Sequence, residues 1–72
     1  MEAVVYVGKN LKELRTRAAL TQAELAEKAG LTTAAVARIE RDEAEPRMTT
    51  IRKLADALDV KPAKLVTGDD DA

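Results

Sequence analysis

The sequence predicts an all-α fold: a compact bundle of five short helices preceded by a short extended segment. Three observations carry that expectation. Apolar residues recur three and four positions apart in five separate stretches, the spacing that places them on one face of a helix. The breaks between those stretches hold a glycine, a proline or a capping threonine, residue types that end or begin helices. The apolar inventory is almost wholly aliphatic, with no Phe or Trp and one tyrosine, Tyr6. Any core is therefore built from Leu, Ile, Val and Ala.

Residues 3–7, AVVYV, are β-branched and aromatic, and Gly8 closes the run, so 1–8 reads as an extended arm or strand. A lone strand is not stable. It pairs with its copy in a second subunit, lies on the domain as an arm, or is disordered. The spacing next predicts a helix over 9–19, with Leu11, Leu14 and Ala18 on its inner face and Arg15 in the middle of that arc. A charge there needs a partner or a route to water. Glu40 is the natural partner; the alternative is an Arg15 that snorkels outward with its stem on the core.

The second helix announces its start through Thr21 and Glu24, a capping box. At about 100° per residue, Gln22, Leu25, Ala26 and Ala29 share one arc, whereas Glu24, Glu27 and Lys28 fall elsewhere. Gly30 ends this helix in a left-handed conformation, and Thr32 caps a third helix over 33–41. Here Ala35, Val36 and Ile39 cluster on one side, and Thr33, Ala34, Ala37, Arg38 and Arg41 on the other. An ordinary surface helix carries longer mixed charges outside. Small residues instead let a backbone approach a groove, and a central arginine reaches a guanine edge or a phosphate. A helix of this size fits the major groove of B-form DNA. The alternative is a solvated face that happens to be rich in alanine.

The polar stretch RDEAEPR follows, with Pro46 near its end. A fourth helix over 48–58 places Ile51, Leu54, Ala55 and Leu58 on one face. A fifth begins at Pro62, since proline suits a first turn, and buries Leu65. One folded domain thus spans 9–67, and 68–72 forms an acidic tail expected to be disordered.

At 72 residues the chain is near the lower limit at which a core alone stabilises a fold. With no cysteine and no histidine, it has neither disulfides nor thiolate or imidazole metal sites; no cofactor or metal is expected. Catalysis would fall to paired carboxylates, a lysine or a hydroxyl. Asp69–Asp71 sit in the tail, and Glu24 and Glu27 share a helix in a bundle too small for a deep pocket, so an enzyme is not expected. No apolar run is long enough to cross a bilayer or act as a signal peptide, and a cytoplasmic location follows. The net charge of −1 and pI near 5.4 argue against a strongly basic nucleic-acid binder. Charge is uneven, however: residues 1–38 carry six bases against four acids, and 39–72 six against nine. Phosphate attraction should be modest, so affinity calls for a dimer.

In combination, LKELR at 11–15, LTQAELAEKAGLT at 20–32, AVARIE at 35–40, Pro46 and IRKLADALDV at 51–60 resemble the phage-repressor/Cro-type (XRE-like) helix-turn-helix family. The match runs from about Leu11 to Leu65. The resemblance implies a lambda-repressor-like five-helix bundle that acts in the cytoplasm as a homodimer on a palindromic operator. It implies that Gln22 holds a phosphate and reaches a base, and that Thr33, Ala34, Ala37 and Arg38 form the base-reading face. It further implies that Thr21, Arg41 and Arg47 touch phosphate or approach the minor groove, and that Arg15 and Glu40 form a structural ion pair. Three features depart from the family. Arg41-Asp42 stands where Asn-Gly is common, Glu43 and Glu45 occupy a loop that is often lysine-rich, and Arg47 replaces a Ser-type cap.

The function expected is a sequence-specific DNA-binding transcriptional regulator, a repressor, with double-stranded DNA as partner and no small-molecule effector. The alternative is an antitoxin-type module that binds a toxin and autoregulates its operon.

Overall fold

The structure is a computed structural model that describes residues 6–68. Residues 1–5 of the expected arm and 69–72 of the tail lie outside the described residues. The chain forms α1 (Gly8–Arg17), α2 (Gln22–Ala29), α3 (Thr33–Glu40), α4 (Met48–Leu58) and α5 (Pro62–Thr67). Helix α2 packs on α3 and α4, α4 on α5, and α1 on both α3 and α5. At the centre lie Leu11, Leu25, Val36, Ile51, Leu54 and Leu65, all essentially excluded from solvent. The α4 face is the one its spacing predicts, with Ile51, Leu54, Ala55 and Leu58 buried. Pro62 opens α5 and Leu65 fills its inner side.

Val7 is the residue before α1 and is 1% exposed, so it packs on the bundle. The helix starts at Gly8, one residue before its expected span. The helix also ends at Arg17 rather than at 19. Ala19 turns left-handed, at φ 58°, and its N–H and that of Leu20 return to the carbonyls of Thr16 and Arg15. This is a Schellman closure made without glycine. It lifts Ala18 off the inner arc into solvent, leaving Leu11 buried and Leu14 half-buried to represent that face.

The same closure ends three further helices: α2 at Gly30, α3 at Asp42 and α4 at Asp59, at φ 71°, 57° and 57°. After α3, the Asp42 N–H bonds to the Ile39 carbonyl and the Glu43 N–H to that of Arg38, so the helix stops without a glycine. The Asp42 carboxylate then accepts the Gly8 N–H at 3.1 Å. A Cβ at Gly8 would lie 2.5 Å from that oxygen and 2.6 Å and 2.8 Å from the carbonyls of Glu40 and Ile39. Only glycine lets α1 start this close to the end of α3. At the other side of α1, the Asn10 amide donates to the Leu65 carbonyl at 2.7 Å, satisfying an orphan acceptor of α5.

Candidate nucleic-acid interface

The α2–turn–α3 unit is assembled by local bonds that the sequence spells out. Thr21 Oγ1 accepts the Glu24 N–H at 3.0 Å, and Glu24 Oε1 accepts the Thr21 N–H at 2.9 Å. These bonds, the one from the Thr21 backbone first, hold the Glu24 carboxyl below the ordinary carboxylate range. Gly30 makes the turn in a left-handed conformation with open space around its Cα; backbone freedom, not crowding, is what it supplies. Thr32 Oγ1 accepts the Ala35 N–H at 3.1 Å and starts α3.

Val36 and Ile39 anchor α3 to the core, which turns Thr33, Ala34 and Arg38 outward into solvent. Ala37 lies on the border of this stripe and is half-buried. The helix ends at Glu40, one residue short of the expected 41, so Arg41 continues the exposed face from the cap position. Ala35 is only half-buried. It faces an open depression between α3 and the following segment, lined by Leu31, Ile39, Pro46 and Thr50 and rimmed by Arg38 and Arg47. Arg47 is exposed at the start of α4 and makes no capping bond.

Behind the stripe lies a polar clasp. Arg15 Nε and Nη2 donate to the two oxygens of Glu40 at 2.5 and 3.1 Å, and Nη1 donates to the Leu20 carbonyl at 2.8 Å. The side chains are 15% and 4% exposed, so water hardly competes. Burial pushes the Glu40 carboxyl up, but the hydrogen bonds from Arg15 and Gln22 outweigh it and hold the group below the ordinary carboxylate range. The Gln22 bond, Nε2 to Glu40 Oε1 at 3.0 Å, is one that sequence reasoning missed. Its only signal is that Gln22 falls on the inner arc of α2. Gln22 is thereby half-buried and oriented before it meets any ligand.

The two arginines of the outer face differ. The Arg38 side chain has no hydrogen bond or ion pair among the described residues. Arg41 donates from Nε and Nη2 to the two oxygens of Glu43 at 2.8 and 3.0 Å. Among the described residues no group of three or more His, Cys, Asp or Glu is placed to hold a metal ion. None of the described helices is long and apolar enough to cross a membrane.

A Helix-turn-helix family model matches residues 11–65, most of the chain and all of this arrangement. The chain belongs to the Helix-turn-helix family. It is 40% identical over 60 residues to the immunity repressor protein of Bacillus phage phi105, covering 83% of this chain and 42% of that protein. The chain thus spans less than half the length of that curated relative. Two solved structures of similar size superpose on it closely. The restriction-modification controller protein C.AhdI from Aeromonas hydrophila does so with a TM-score of 0.81 at 40% identity, over 86% of this chain and 94% of that one. The P22 c2 repressor, solved in complex with a synthetic operator, does so with a TM-score of 0.81 at 30% identity, over 88% and 96%. Helix-turn-helix architecture accounts for the short α2, the glycine turn and the projecting α3 as one unit.

Proposed function

We propose that this domain is a sequence-specific DNA-binding transcriptional regulator, acting as a repressor, that sets α3 in the major groove of a palindromic operator as a homodimer. The observation that carries the reading is the exposed stripe Thr33, Ala34 and Arg38 on a helix whose opposite side is locked into the core by Val36 and Ile39. Arg38 is the group suited to a guanine edge, because its guanidinium fork is unengaged and can match two acceptors at once. Thr33 offers a hydroxyl, and the alanines at 34 and 37 offer methyl contacts to thymine. Thr21, Gln22 and Arg47 flank the stripe, where phosphate contacts would fix the register. Direct readout therefore rests on few groups, and two copies of the domain are needed for useful affinity.

Selection of bound sites from a random DNA pool tests this reading. The expected outcome is a palindrome whose half-sites lie about one helical turn apart. Recovery of a pool with no enriched sequence would sink it.

A further inference from the structure

Arg41 stands three residues beyond Arg38 on the same exposed side, and the turn after α3 brings Glu43 back against it. The contact is a side-on bidentate fork, the geometry with which a guanidinium grips a phosphate. Both side chains are more than half exposed, 56% and 53%, so the pair contributes little to stability. In the helix-turn-helix docking mode the N-terminal residues of the second helix contact base edges, which carries its C-terminal end toward the sugar-phosphate wall. Arg41 thus sits where a phosphate would compete with Glu43.

Resting on the DNA-binding reading above, we propose that Glu43 is an internal phosphate mimic that occupies Arg41 and lowers the affinity of the interface for all DNA sequences alike. A guanidinium neutralised within its own chain releases no counterion when DNA arrives, and phosphate contact at Arg41 means surrendering the carboxylate. Glu43 also lies within the field of the unpaired Arg38: its carboxyl is held below the ordinary range by the hydrogen bonds from Arg41 first, with the charges of Arg41 and Arg38 adding to them. The two hydrogen bonds engage Arg41 alone. Because Arg41 lies at the backbone-contacting end of α3, the cost falls on all sequences alike.

The test compares the parent chain with E43Q, R41Q and R41Q/E43Q for binding to a labelled duplex pool of random sequence, between about 50 and 200 mM salt. E43Q is expected to bind roughly five- to tenfold more tightly at about 0.1 M salt, with a salt slope steeper by about 0.9 per bound protomer, as one additional phosphate contact per protomer dictates. R41Q should weaken E43Q far more than it weakens the parent, and the thermal midpoint should not move. An E43Q variant that binds like the parent overturns the inference alone. A gain that survives in R41Q/E43Q overturns it too, since bulk repulsion would then be the cause. Failure of all four proteins to bind any duplex at low salt overturns the DNA-binding reading itself.

Discussion

The Gly8 backbone N–H donates to the Asp42 carboxylate at 3.1 Å, which ties the start of α1 to the turn that ends α3. The glycine is fixed by contact rather than by backbone angle, since a Cβ there would press on two main-chain oxygens that cannot swing aside. Gly8→Ala is expected to cost about 2 kcal/mol through overpacking. Asp42→Ala loses the bond and sets alanine in a left-handed conformation, for about 1–2 kcal/mol. Urea unfolding midpoints check both, and a neutral Gly8→Ala would mean that α1 sits farther from α3 than described.

Ala19 holds a left-handed conformation at φ 58° without the freedom of glycine. Ala19→Gly should therefore stabilise the domain by about 0.5–1 kcal/mol, the strain relieved less the extra freedom of the unfolded glycine. Gly30→Ala, with open space but the same backbone sign, should move stability the other way by a similar amount. Thermal midpoints of the two variants should shift in opposite directions.

The Glu40 carboxyl is held below its ordinary range when folded. Its contribution is complete above the unfolded value, roughly pH 4 to 4.5, and is lost as pH falls through the lower folded value. Stability should thus drop below that range, and Glu40→Gln should flatten the dependence. Glu40→Ala strands Arg15 at 15% exposure and should cost about 2–4 kcal/mol, whereas replacing both partners with apolar residues should cost far less. Denaturant titrations between about pH 3 and pH 7 measure each effect.

Arg38 and Arg47 should fail differently in DNA binding. Arg38→Ala should cost about 1–3 kcal/mol and blur preference at one base pair. Arg47→Ala should weaken all sequences alike and flatten the salt slope by about 0.9 per bound protomer. Equal loss on selected and random duplexes for Arg38→Ala would remove its base-reading role.

The helices were legible from spacing, most fully in α4, where one apolar face accounts for every buried residue. The ends were not, because three of the five left-handed helix ends use Ala19, Asp42 and Asp59, and only two use glycine, Gly30 and Gly68. This is why spacing carries α1 two residues past its end and sets Ala18 inside. In the interface, the Arg15–Glu40 pair could be anticipated from an arginine on an inner arc. The Gln22–Glu40 bond could not, since it depends on how α2 crosses α3. Nor could Arg41–Glu43, because residues two apart do not meet on a helix; they meet here only after the chain has left it.

The clasp of Arg15, Gln22 and Glu40 holds α3 from behind, while the side chains of Thr33, Ala34 and Arg38 face solvent. If α3 reads DNA as proposed, Gln22 alone serves both architecture and targeting. Substitutions at the three outward positions would then redirect the domain to a new address while the scaffold stays intact.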